Sequence, residues 1–281
     1  EGTRRVVAAA YRDVACTGAR PLATTNCLNL GDPTRPEGMW ELVEVVGGLG
    51  DACAALAAPV TGGNVSLYNA TSGRPIPPTP VVGIVGVLDD AADAVGRALR
   101  PPVADASDVL LLLGAPTAPG LAGGELRRLL DLPVGGVLAP VDEALEVRLG
   151  GVLADAATAG RLVAALSIGR GGLAAALVRA AVAGGVGLRV VLPEVLGTVR
   201  DDGRWLAQAL FSESPGRAVV AVAPGDVAAV VAACAAADVP ALRLGEVGGD
   251  VIALGDDVVL DLATAAAAHR SALPRAMGED A

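Results

Sequence analysis

Thr61-Gly62-Gly63-Asn64-Val65-Ser66-Leu67-Tyr68-Asn69 is the one stretch of this chain where small, polar and metal-capable residues stand together without helical or strand periodicity. Two glycines let the backbone approach a ligand closely and offer N–H groups to a phosphate oxygen. Asn64, Ser66 and Asn69 add short side-chain oxygens at near-alternate positions. Neutral oxygen donors suit a magnesium–phosphate complex, because Mg²⁺ keeps several waters and takes much of its charge compensation from the nucleotide. The same composition also suits a Gly- and Asn-rich hairpin turn. Spacing alone leaves both readings open, and both make the segment a loop.

Working outward, the apolar spacing of Val6, Val7, Ala10, Val14 and Ala15 predicts a helix over 3–17, stopped by Gly18. A strand over 20–30 follows, carrying Asn26 beside Cys27. A buried Asn there needs partners, so it is either a structural hydrogen-bonder or a ligand reader. Residues 36–57 form the longest helical pattern, with Pro36 in its first turn and Met39, Trp40, Leu42, Val43, Val46, Leu49 and Cys53 expected on one side. That helix delivers the chain to the Gly62–Asn69 segment. Beyond a proline-rich connector at 75–80, Val81 to Leu88 reads as a buried strand closed by Asp89-Asp90.

Arg100-Pro101-Pro102 marks a boundary ahead of a fresh strand over 109–113. Helices are expected over 141–159, 172–183, 226–237 and from 262 to Pro274, with strands over 188–192 and 218–222. Residues 241–247 and 251–254 look like a terminal strand pair. Strands and helices alternate without sorting into blocks, so the architecture is α/β or α+β in two units.

Length and charge bound the function. The 281 residues suffice for two domains with buried cores. Hydrophobic residues make up 53% and aromatics 2%, so Ala, Val and Leu must build those cores. No apolar run approaches the roughly 18 residues of a spanning helix, and a membrane role is not expected. A net charge of −10 argues against a nucleic-acid surface while leaving room for one phosphorylated small ligand. The four cysteines lack any CxxC pair and read as small buried hydrophobes in a reducing, cytoplasmic setting. The start carries no signal-peptide pattern, and its immediate entry into a helix reads as a segment cut from something longer.

Outside the central stretch, the chemistry is thin. His269, the single histidine, sits in the Ala-rich last helix and reads as a solvated helix-end residue. Asp89-Asp90 reads as a turn rather than a metal pair. Ser212-Glu213-Ser214 with Arg217 either binds an anion or caps a helix, and the sequence leaves that undecided.

Thr17 to Leu22, Thr25-Asn26-Cys27-Leu28-Asn29, Gly62 to Asn69, Pro78-Thr79-Pro80 with Gly83-Ile84-Val85-Gly86, Leu210 to Ser214 and Ala272 to Met277 resemble, in order and spacing, the second half of the large subunit of phosphoribosylformylglycinamidine synthase. The resemblance spans nearly the whole chain. It implies an aminoimidazole-ribonucleotide (AIR) synthase-like half-barrel domain over 1–102, truncated at its start, followed by an AIR synthase-like α/β domain over 103–281. It implies an ATP-dependent C–N ligase of purine biosynthesis that converts formylglycinamide ribonucleotide with ammonia from glutamine. By position, Asn26 and Gly63 would contact ATP, Asn64 would bind Mg²⁺ and Ser66 would contact the substrate, while no catalytic residue is assigned. A metal and backbone donors offset the charge on a transferring phosphoryl group, so few reactive side chains are needed. The implied partners are a glutaminase subunit, a small bridging subunit, and the absent first half or a second copy.

Two departures stand against the family pattern. Where the family carries His-Asp-x-Ser-Asp-Gly-Gly, this chain reads Leu166-Ser167-Ile168-Gly169-Arg170-Gly171-Gly172, retaining only the glycines. The first half, with the family's proposed catalytic histidine, is absent, which would leave strand edges exposed. Two other readings follow. One is a different AIR synthase-like enzyme, such as a thiamine-phosphate kinase, and the other a non-catalytic half that binds nucleotide and needs a partner chain.

Overall fold

The computed structural model describes residues 1–104, 106–133, 135–192 and 204–278. Helix α1 spans Gly2–Ala15 and leads into strand β1, Arg20–Asn29. Helix α2 spans Pro36–Ala55, and strand β2 follows at Val60–Ser66. A two-residue pair, β3 (Ala70–Thr71) and β4 (Arg74–Pro75), precedes β5, Thr79–Val87. These build a three-stranded sheet in the order β2-β1-β5, with β1 parallel to β2 and antiparallel to β5. One face packs on the two helices through Val7, Tyr11, Leu28, Val45, Leu49, Ala52 and Cys53.

Two expectations change here. The central stretch is not a loop along most of its length: residues 60–66 pair with β1 as an edge strand, and the turn begins only at Leu67. Glycine-rich local sequence carries no strand signal of its own, so the pairing comes from β1 alongside. The apolar residues of α2 divide into two stripes. Val45, Leu49, Ala52 and Cys53 face the sheet, whereas Trp40 stays 65% exposed and Val43 59%.

Residues Ala91–Asp93 form a 3-10 turn capped by the Asp90 carboxylate, in line with the turn reading of Asp89-Asp90. Strand β6, Val109–Gly114, then opens the second unit. It continues through α3 (Glu125–Leu129), α4 (Glu143–Thr158), β7 (Ala164–Ser167), α5 (Gly172–Gly184) and β8 (Leu188–Val190). Next come α6 (Trp205–Phe211), β9 (Arg217–Val222), α7 (Val227–Ala236) and β10 (Ala241–Val247). The last elements are β11 (Val251–Leu254), β12 (Val258–Asp261) and α8 (Leu262–Ala276).

The seven strands stand in the order β12-β11-β8-β10-β6-β9-β7. Side chains alternate across a strand, so a strand covered on both faces reads as an unbroken apolar run. In β6, Leu110 and Leu112 enter the core beneath α5 and α6, while Val109, Leu111 and Leu113 enter the one beneath α4 and α7. Strand β9 divides the same way, Val219 and Ala221 against Ala218, Val220 and Val222. The expected pairing of 241–247 with 251–254 does not form. Strand β8 lies between them, antiparallel to β10 and parallel to β11, and the unanticipated β12 covers the outer edge. A three-residue insertion of this kind needs close backbone approach, which Gly187 allows: a Cβ there would lie 2.2 Å from the Val251 carbonyl oxygen.

Helix α1 belongs to both units. Val7 and Tyr11 pack in the first core, Ala15 and Cys16 in the second. Arg12, 3% exposed, pairs with the fully buried Glu146 of α4 and also donates to Ser167 Oγ and the Ile168 carbonyl, each at 3.2 Å. Glu146 Oε1 also accepts the Gly216 N–H at 2.9 Å, while burial pushes the Glu146 carboxyl above the usual range.

Candidate functional site

The four residues singled out from sequence lie on two adjacent strands, in register: Asn26 beside Gly63, Cys27 beside Asn64, Asn29 beside Ser66. Strand alternation then divides them. Asn26 and Gly63 fall on the side shared with the buried Thr24 and Leu28, toward the helices. They touch closely, since a Cβ on Gly63 would lie 2.7 Å from both Asn26 O and Asn26 Oδ1. Asn64 and Ser66 fall on the opposite, open face with Cys27 and Asn29.

Strand β2 is the sheet edge, and space around Gly62 is open where a Cβ would project. The bare Gly62-Gly63 edge therefore gives a ligand on the open face a path to main-chain groups and to Asn26. Asn64 Nδ2 lies 3.6 Å from Cys27 Sγ, which leaves its carbonyl oxygen for another partner. Asn29 Nδ2 donates to the Thr79 carbonyl and to that of Cys27, each at 3.3 Å. Ser66 is bound to Asn69, whose Nδ2 also reaches Leu30 O at 3.1 Å and Ser66 O at 2.9 Å. Tyr68, with φ 62°, makes the turn between them.

The side-chain oxygens of Asn29, Asn64 and Ser66 on this face belong to two carboxamides and a hydroxyl. Among the described residues no group of three or more His, Cys, Asp or Glu side chains could hold a metal. A cation that brings its own water and phosphate oxygens fits one neutral Asn64 oxygen, whereas a metal needing a full protein cage does not. Around the polar row the open face is apolar: Leu22, Val81, Val85 and Val87 are all exposed, Val85 to 60%.

The altered 166–172 string runs from the last two residues of β7 through a turn into α5, with Gly171 and Gly172 at φ 81° and 66°. A Cβ on Gly172 would lie 2.6 Å from Leu210 O, so glycine is required there by space as well as by torsion. The undecided Ser212-Glu213-Ser214 group falls on the capping side. Glu213 Oε1 accepts the Gly171 N–H at 2.8 Å and the Glu125 N–H at 2.7 Å, which places a carboxylate at the start of both α5 and α3. Arg217 is buried and donates to Ser212 O, Ser214 O and Thr117 Oγ1, so its charge is spent on the loop. Arg170 bonds Glu125, and this contact, with one from Arg128, holds the Glu125 carboxyl below its ordinary range.

His269 is exposed on α8. Sequence reasoning did not find the Asn69 clamp or the Cys27–Asn64 contact. The short polar spacing of 64, 66 and 69 held the first in outline. The second depends on which strand lies beside β2.

Comparison with known proteins follows the same division into two units. Residues 1–88 match the family "AIR synthase related protein, N-terminal domain" and residues 105–255 match "AIR synthase related protein, C-terminal domain". The chain is 43% identical over 280 residues to "Phosphoribosylformylglycinamidine synthase subunit PurL" of Thermobifida fusca, covering 99% of this chain and 35% of that protein. It is 44% identical over 282 residues to the subunit of the same name from Renibacterium salmoninarum, again spanning 35% of its length. Among solved structures, T. maritima PurL complexed with FGAR superposes with a TM-score of 0.74 at 19% identity, covering 94% of this chain and 42% of that one. The ATP complex gives 0.70 at 20% identity, covering 94% and 41%. These likenesses bear out the expected fold class, an AIR synthase-like half-barrel unit followed by an α/β unit.

Proposed function

The chain belongs to the AIR synthase related protein family, and on that premise we propose that it supplies the nucleotide-, magnesium- and substrate-contacting part of a phosphoribosylformylglycinamidine synthase. The observation that carries this reading is the open-face polar row, with Asn64 and Ser66 two residues apart on a bare edge strand. In this reading Asn64 Oδ1 is one ligand of Mg²⁺, Ser66 contacts formylglycinamide ribonucleotide, and Asn26 with the Gly63 main chain contacts ATP around the edge. The bound ion would offset negative charge on the phosphates. The reaction is transfer of the ATP γ-phosphoryl group to an amide oxygen of the ribonucleotide, then addition of ammonia at that carbon with loss of a proton and release of phosphate. An amidine, ADP and phosphate are the products. This chain's own residues bind and orient. None is assigned as acid or base.

The chain spans about a third of the curated relatives it matches, 35% of their length. The exposed Leu22, Val81, Val85 and Val87 support a further surface over the open face, contributed by the first half of the synthase or by a second copy. A glutaminase subunit would deliver ammonia, with a small bridging subunit completing a cytoplasmic assembly. The functional division is at 102/103. A non-catalytic, nucleotide-binding half is the second reading, favoured by the lost acids and histidine at 166–172.

Activity is measured with formylglycinamide ribonucleotide, ATP and ammonium, for the chain alone and after adding a first-half polypeptide. Turnover in the mixture is expected. Nucleotide binding without turnover in either case favours the second reading. Asn64→Ala is expected to weaken Mg·ATP binding with little loss of stability, and unchanged binding would remove Asn64 from the site.

A further inference from the structure

Asn69 sits at the hinge between the polar row and the β1 terminus, and its contacts fix which way its carboxamide faces. Nδ2 lies 3.1 Å from the Leu30 carbonyl oxygen and 2.9 Å from the Ser66 carbonyl oxygen. Both are acceptors, so the amide nitrogen and not Oδ1 must face them. The two amide hydrogens are thereby used. The third approach of Nδ2, 3.1 Å to Ser66 Oγ, can only share one of them. On the other side Asn69 Oδ1 stands 3.2 Å from Ser66 Oγ, and Oδ1 is an acceptor only. The hydrogen in that bond therefore comes from the Ser66 hydroxyl.

The main chain locks this arrangement in place. Leu30 N–H donates to Ser66 O at 3.0 Å, Asn69 N–H donates to Leu30 O at 3.1 Å, and Tyr68 N–H donates to Gly31 O at 2.9 Å. Rotation of the carboxamide would leave two carbonyl oxygens facing a third.

We propose that Asn69 is a positioning residue that holds the Ser66 hydroxyl proton, so that Ser66 Oγ meets its ligand as a hydrogen-bond acceptor. This rests on Ser66 being the substrate contact. It narrows the recognised group to a donor, a ribose hydroxyl or an amide N–H of the ribonucleotide, and away from a phosphate oxygen.

The test is a double-substitution cycle on the full chain, read as affinity for formylglycinamide ribonucleotide by calorimetry. Losing one neutral hydrogen bond weakens binding by about fivefold, so Ser66→Ala is expected to do so. Asn69→Ala is expected to weaken binding by a similar factor in the wild-type background and by less than about twofold in the Ser66→Ala background. An equal effect in both backgrounds makes Asn69 a structural residue and overturns the proposal. No effect of Ser66→Ala, or no binding by the wild type, instead removes the substrate reading of Ser66 on which the proposal stands. Should Asn69→Ala fail to fold, sulfate carries the test, because it accepts hydrogen bonds and donates none. Ser66→Ala is expected to leave sulfate affinity unchanged while weakening the ribonucleotide, and a weakened sulfate affinity overturns the acceptor assignment.

Discussion

Arg12→Met puts the junction between the two units to the test. Arg12 is 3% exposed, and its partner Glu146 is fully buried. Methionine keeps most of the side-chain volume but removes the guanidinium, with its bonds to Glu146, Ser167 Oγ and the Ile168 carbonyl. Glu146 keeps only the Gly216 N–H, while its Oε2 already has no partner in the structure. Removing one member of a buried ion pair costs about 3–5 kcal/mol, because the remaining charge is left without compensation. The loss should depend on pH in a defined sense. Burial already raises the Glu146 carboxyl above its ordinary 4.5, and without Arg12 it rises further. The folded state then binds the proton more tightly than the unfolded state, so the variant's stability falls as pH rises from the unfolded value through the folded one. Urea unfolding at several pH values measures this. Arg12→Met/Glu146→Gln should recover part of the loss, since a neutral amide still accepts the Gly216 N–H. A loss in the single variant below about 1 kcal/mol, or no recovery in the double variant, would refute a buried, compensated charge at this junction.

Gly63→Ala places a Cβ 2.7 Å from the Asn26 main-chain and side-chain oxygens, and a loss of about 1–3 kcal/mol is expected in urea unfolding. Iodoacetamide at pH 8 should label the half-buried Cys27 first. Burial pushes Cys16 up to about 12 and Cys234 up to about 11, so mass spectrometry should find both labelled only in denaturant. Hydrogen bonds from Arg170, then Arg128, depress the Glu125 carboxyl, so its contribution is present above its ordinary 4.5 and lost as pH falls through the folded value. Glu125→Gln should therefore reduce the difference in stability between pH 6 and pH 3, and an unchanged difference would remove the Glu125 ion pairs with Arg170 and Arg128 from the acid response.

Much of the fold is written in local pattern. The unbroken Val109–Gly114 run marks a strand covered on both faces, and Pro36 with the apolar series behind it marks α2, because periodicity and turn chemistry act over a few residues. The ordered motifs also carried the family. Local pattern could not place β8 between β10 and β11, since pairing across a sheet depends on strands distant in sequence. It could not tell the covered stripe of α2 from the exposed one either.

The same boundary runs through the candidate site. Residues 61–69 by themselves determined that small, neutral, oxygen-bearing groups would be concentrated at one place. Tertiary structure decided that most of them form an edge strand, that Asn26 and Gly63 lie on one side and Asn64 and Ser66 on the other, and that Asn69 reaches back to Leu30. The physical reason is that side-chain direction in a strand is set by its register with a neighbour. Here that neighbour, β1, lies about forty residues earlier in the chain, from Arg20 to Asn29.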